Sequence, residues 1–130
     1  MPKKELPRPT DAELEILNVL WQRGPSTVRE VHDALHGTRP TGYTTVLKLM
    51  QIMTEKNLVR RDERQRAHVY EARLAEEQTQ AQLVGDLLAR AFKGSATKLV
   101  LRALSSQQTS AEELSEIRRM LDEFEEGNNQ

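Results

Sequence analysis

The stretch TGYTTVLKLMQIMTEKNLVRRDERQRAHVY, residues 41–70, changes its periodicity half-way along. In its first half Val46, Leu49, Met50 and Met53 recur at i, i+3, i+4 and i+7, the spacing of one buried helix face. At ~100° per residue the opposite side of that helix collects Thr44, Lys48, Gln51 and Glu55, with Thr41 and Thr45 at its flank. Asn57 tolerates the left-handed conformation and predicts the helix stop. Beyond it, Leu58–Asp62 and Ala67–Ala72 read as two strands around a polar turn near Glu63–Arg66. No glycine marks that turn, so a loop of three to five residues is expected rather than a two-residue primed turn.

Upstream, residues 1–9, with Pro2, Pro7 and Pro9, read as a flexible arm. Thr10 and Glu13 form a capping box, after which Leu14, Leu17, Leu20 and Trp21 follow helical spacing until Gly24-Pro25 ends the run. A second helix starting at Ser26 or Thr27 buries Val28, Val31 and Leu35 and ends at Gly37. Residues 38–42 then link to the third helix. The order helix, helix, helix, hairpin is that of a winged helix-turn-helix, a mostly α fold with a small β-wing.

That order assigns work to the polar side chains. Recognition helices meet base edges chiefly through their N-terminal residues, where backbone N–H groups also favour a phosphate. Thr41, Thr44, Thr45 and Lys48 occupy that end of the third helix. Tyr43 either bonds a phosphate through its hydroxyl or packs on the first helix. Arg60, Arg61, Arg64 and Arg66 fall within seven positions. Arg64 and Arg66, at the wing tip, are expected to contact phosphates or the minor groove. Arg60 and Arg61 alternate along a strand, so at most one of them faces DNA. Tyr70 is expected to anchor the wing on the helical body, His68 to lie on the strand surface and Trp21 to pack in or near the core.

From Ala75 onward the sequence reads helical. Leu83, Val84, Leu87, Leu88, Ala91 and Phe92 stripe one helix that ends at Gly94; Ser95 starts a short second one with Leu99, Val100, Ala103 and Leu104. Ser110 and Glu113 cap a last helix striped by Leu114, Ile117, Leu121 and Phe124. Only ~55 residues make a thin core for such stripes, so they need another surface, and a second copy of the chain is the economical candidate. Leu83, Leu87, Leu99, Leu114, Ile117, Leu121 and Phe124 are thus expected to dimerise. The charges divide similarly: residues 1–74 hold 13 Lys+Arg against 10 Asp+Glu, residues 75–130 hold 6 against 10. The front half can face phosphates and the back half cannot. The expected organisation is an arm (1–9), a winged-helix DNA-binding domain (10–74), a helical dimerisation domain (75–126) and a disordered tail (127–130).

Other functions find no support. With no cysteine, thiolate chemistry and cysteine-based metal sites are excluded, and His32, His36 and His68 lack clustered carboxylates. No metal, cofactor or catalytic set is expected, so the reading is of a protein that is not an enzyme. The N-terminus lacks an apolar signal core, and no segment approaches the ~18 apolar residues of a membrane span, which suggests a cytoplasmic protein without a membrane partner.

Against this reading, Glu13-Leu14-Glu15-Ile16-Leu17 and Val19-Leu20-Trp21 in the first helix, Tyr43-Thr44-Thr45-Val46 opening the third, Glu55-Lys56-Asn57-Leu58-Val59 leaving it, and Arg66 with Tyr70 on the wing carry a likeness. In these motifs the chain resembles the penicillinase-repressor (BlaI/MecI/CopY) family of winged-helix regulators, over residues ~10 to ~125. The resemblance implies a homodimeric transcriptional repressor on a palindromic operator, commonly upstream of β-lactamase or antibiotic-resistance genes. It also implies release when a sensor-controlled protease cuts the C-terminal domain. Members known for that cleavage carry an Asn-Phe bond in the helix after the glycine-serine break, and Arg102-Ala103 aligns there. The paired cysteines of the copper-responsive branch are absent, and Asn57 replaces a usual glycine.

The expected protein is a repressor whose partners are double-stranded operator DNA, a second copy of itself and a sensor-controlled protease. Its alternatives are a ligand-responsive winged-helix regulator and a winged-helix protein-interaction adaptor. A metabolite-dependent affinity would mark the first and absence of salt-dependent duplex binding the second.

Overall fold

The computed structural model describes residues 7–37 and 40–128. The first six residues of the expected arm, Thr38 and Arg39 of the loop, and the last two residues of the expected tail lie outside the described residues. The element order is α1 (Asp11–Arg23), β1 (Ser26–Thr27), α2 (Val28–His36), α3 (Tyr43–Glu55), β2 (Val59–Asp62), β3 (Val69–Ala72), α4 (Glu76–Ala91), α5 (Ala96–Ser105) and α6 (Ala111–Asn128). Two compact units divide this chain, the first running through Gly85 and the second from Asp86.

In the first unit, α1 opens with the expected capping box: the Glu13 N–H donates to Thr10 Oγ1 at 3.2 Å and the Thr10 N–H to Glu13 Oε1 at 2.8 Å. Its inward face is Glu13, Ile16, Leu17 and Leu20, so a carboxylate occupies a core-facing position at helical spacing. Lys56, just past α3, answers it, with Nζ 2.7 Å from Glu13 Oε1. Gly24 ends α1 at φ +88, its N–H returning to the Leu20 carbonyl. Pro9, placed by sequence in the arm, is buried.

Ser26 was expected to open the second helix and instead forms β1, which joins the wing as a third strand in the order β1-β3-β2. Both pairings are antiparallel, with Ser26 opposite Tyr70, and Arg60 and Arg61 opposite Glu71 and Tyr70. A two-residue strand is too short to leave a periodic signal. Thr27 then caps α2 in a second capping box with Glu30.

The core is built as the stripes require: Val28 and Val31 from α2, Val46, Met50 and Met53 from α3, and Leu58, Val59 and Tyr70 from the wing meet Ile16, Leu17 and Leu20. Tyr70, 2% exposed at the centre of the sheet, anchors the wing to the helices. Asn57 takes φ +64, and the Leu58 N–H closes onto the Met53 carbonyl. That left-handed residue turns α3 into β2. The hairpin loop runs over six residues, 63–68, longer than expected, and His68 falls in it rather than on a strand.

The first unit also extends past the boundary expected at residue 74. The Trp21 indole N–H donates to the Leu74 carbonyl at 3.0 Å, and Thr79 in α4 is buried, which keeps the first half of that helix with the winged-helix body.

In the second unit, Lys93 and Gly94 both take positive φ, +50 and +80, between α4 and α5. Ser95 caps α5 through the Lys98 N–H and Ser110 accepts from the Glu113 N–H at the start of α6. Neither α5 nor α6 buries a single residue. α6 continues to Asn128, two residues into the expected tail.

Candidate nucleic-acid interface

The start of α3 differs from those of α1 and α2. Both earlier helices have a capping box and acids in the first turn; α3 is capped by Gly42 with no side-chain bond and carries no acid there. Its first-turn N–H groups are therefore left to solvent or to an anion, and the helix dipole favours the anion. Thr44, Thr45 and Lys48 are exposed beside them, and Thr41 is half-buried in the preceding loop. Lys48 forms no ion pair with any described residue. Val46, Met50 and Met53, on the opposite side, fix the rotation of the helix by their burial.

Tyr43, the first residue of α3, packs against α2. The Arg29 guanidinium lies 4.6 Å from its ring centroid, in cation–π range. The His32 ring meets it edge-on at 6.0 Å, and the His36 ring lies 5.7 Å from that of His32, tilted by 33°. Arg29 thus joins the N-terminal turns of α2 and α3, a cation that sequence reading missed. On an exposed helix face Arg29 reads as an ordinary solvated charge, and its contact with Tyr43 depends on the turn between the helices.

The wing arginines prove unequal. Arg60 meets its cross-strand neighbour Glu71 at 3.5 Å. Arg61 stands opposite Tyr70 in the strand register and pairs with Glu63, and these two neighbours raise its already high pKa. Arg64 donates through Nε and Nη2 to both oxygens of Asp62, the closest contact being 2.7 Å, and its backbone N–H donates to the same carboxylate. Those side-chain bonds and then the backbone bond hold the Asp62 carboxyl at about 2. Arg64, expected to contact a phosphate or the minor groove, is thus held by Asp62 in this structure. Arg66 is exposed and forms no ion pair with any described residue, so among the four it alone carries an unanswered charge.

Of the residues expected to dimerise, Leu83, Leu99, Leu114 and Ile117 are half-buried, while Leu87, Leu121 and Phe124 are exposed, Phe124 by 72%. Arg102 and Ala103 are both exposed on α5. Among the described residues no cluster of His, Asp or Glu could hold a metal ion, and no helix is long and apolar enough to cross a membrane.

Residues 9–123 match the family profile described as Penicillinase repressor. The chain belongs to the penicillinase repressor family. It is 36% identical over 124 residues to the transcriptional regulator BlaI of Mycobacterium tuberculosis, covering 95% of this chain and 89% of that one. It is 27% identical to the penicillinase repressor of Bacillus licheniformis over 120 residues, 92% of this chain and 94% of that one. Among solved structures, the DNA-binding domain of the repressor BlaI superposes with a TM-score of 0.50 at 26% identity, over 57% of this chain and 90% of that one. The monomeric form of Bacillus licheniformis BlaI in complex with the blaP half-operator gives 0.50 at 25%, over 58% and 92%. The winged-helix fold derived above is the fold of this penicillinase repressor family's DNA-binding domains.

Proposed function

We propose that two copies of this chain form a transcriptional repressor that reads a palindromic operator of the β-lactamase or antibiotic-resistance type. The uncapped, acid-free first turn of α3, flanked by exposed Thr44, Thr45 and Lys48, carries this reading. A related protein of this fold is described in complex with a half-operator. In the proposal α3 enters the major groove: Thr44 and Thr45 meet base edges, and Lys48 reaches a base edge or phosphate. Thr41, Tyr43 and Arg29 bear on the phosphates at the helix start. Arg66 holds the flanking backbone, joined by Arg64 when it leaves Asp62.

Residues 10–74 serve as the reading domain and 75–126 as the dimerisation domain. Val84, Leu87, Val100, Leu101, Met120, Leu121 and Phe124 expose more apolar surface than so short a segment tolerates in water, which supports a second copy as their cover. The signal that releases the operator is proteolysis of the C-terminal helices by a sensor-controlled protease. Arg102-Ala103 is the candidate bond; it lies inside α5, so a protease must unwind that helix to reach it.

Footprinting on the promoter of the chain's own gene tests the proposal. Two protected patches about one helical turn, ~10 bp, apart or a multiple of it are expected. A single patch, or no protection at micromolar protein, contradicts it.

A further inference from the structure

Asp62 closes strand β2, its position set by pairing with Val69, whereas Arg64 lies in the loop beyond. The carboxylate presents two oxygens to the Nε–Nη2 edge of the guanidinium, at 3.0, 3.1 and 2.7 Å. A DNA phosphate would offer that edge the same fork of two oxygens. Both side chains are reachable by solvent, 88% for Arg64 and 41% for Asp62, so the contact is exchangeable and not a buried lock.

We propose that Asp62 acts as an internal phosphate mimic that occupies Arg64 in the free protein and lowers the affinity of the wing for DNA of any sequence. The proposal rests on the reading of the wing as a DNA contact. One guanidinium edge serves one bidentate anion at a time. Arg64 reaches a phosphate by leaving Asp62, or stays and brings a carboxylate close to the DNA. In both cases Asp62 and Arg64 together add no net positive charge to the wing. Affinity that depends only on charge scales with the phosphates neutralised, and the wing's part of that number falls to the share of Arg66. Binding weakens uniformly across sequences while base contacts from α3 are untouched, so Asp62 holds down the occupancy of bulk DNA and leaves the choice between sequences to α3.

Asp62 also accepts the Arg64 backbone N–H at 3.0 Å, an Asx turn that shapes the loop. The substitution Asp62→Asn keeps that acceptor and removes the charge, which separates the electrostatic role from the structural one.

The test is binding of the full chain to non-operator duplex DNA across a salt series, read by fluorescence anisotropy. Asp62→Asn is expected to raise affinity several-fold and steepen the slope of log K against log salt by about 0.9, the value of one added phosphate contact. Arg64→Ala alone is expected to leave the slope nearly unchanged, and in the Asp62→Asn background to cancel the gain. An unchanged slope in Asp62→Asn overturns the proposal, as does a gain that persists without Arg64, which would mark a diffuse charge effect. Arg64→Ala flattening the wild-type slope as much as Arg66→Ala overturns it too. If Arg66→Ala has no effect, the reading of the wing itself fails.

Discussion

At Glu13 a carboxylate only 2% exposed is held by the Thr10 N–H and by Lys56, which ties the start of α1 to the end of α3. Burial acts to raise its pKa, but the Lys56 bond, the Thr10 bond and the Lys56 charge outweigh it and hold the group below its ordinary value. A carboxyl lowered in the folded state stabilises the protein above the unfolded value, near 4.5, and that contribution is lost as pH falls through the folded value. Glu13→Gln is expected to cost about 1–3 kcal/mol at neutral pH in urea unfolding, because it leaves Lys56 unanswered. The variant should also lose part of the stability decline on acidification; an unchanged midpoint would show that the buried bond contributes nothing. The capping half of this arrangement was legible in Thr10 and Glu13. The Lys56 half was not, because a partner 43 positions away becomes visible only when the helices are packed. Glu71 escaped for the same reason: its pairing with Arg60 follows from strand register, not from local spacing.

Among the elements, α3 was the most legible, since its buried stripe, its exposed hydroxyls and its left-handed stop at Asn57 are all local properties. At φ +64 a residue with a Cβ is strained, Asn and Asp least because their short polar side chains bond locally, and Gly escapes the strain altogether. Asn57→Ala is therefore expected to destabilise by about 1 kcal/mol and Asn57→Gly to be neutral or stabilising, measured by thermal unfolding. β1 was illegible because two residues carry no period, and the six-residue wing loop because no glycine or turn pair fixes its length. The helix α4 spans the division between the two units: polarity near residue 74 marked an element change, while the burial of Thr79 keeps the start of α4 with the first body. Within α4, Gly85 meets nothing within 4 Å of an added Cβ and has no positive φ. Gly85→Ala should stabilise by about 0.5–1 kcal/mol in the same measurement, and a loss would show that this glycine is needed for close approach.

For the whole molecule, the same sequence that packs a complete core around Tyr70 leaves α5 and α6 without a buried residue. Covering one large side chain such as Leu121 or Phe124 is worth roughly 1.5–3 kcal/mol. Leu121→Glu or Phe124→Glu is expected to give a monomer by sedimentation equilibrium at micromolar concentration, with the winged-helix core still folded. A wild-type monomer under those conditions would remove the second copy from the account. Operator affinity should fall with the dimer, because one small module buries too little surface for tight binding alone.

The account stands on the claim that α3 and the wing form the face that meets DNA. Its most direct test is the salt dependence of duplex binding in the wild type, Lys48→Ala, Arg66→Ala and, as a control on α6, Arg118→Ala. Lys48→Ala and Arg66→Ala are each expected to weaken binding and reduce the slope by about 0.9, with Arg118→Ala unchanged. Equal slopes in all four proteins would contradict it.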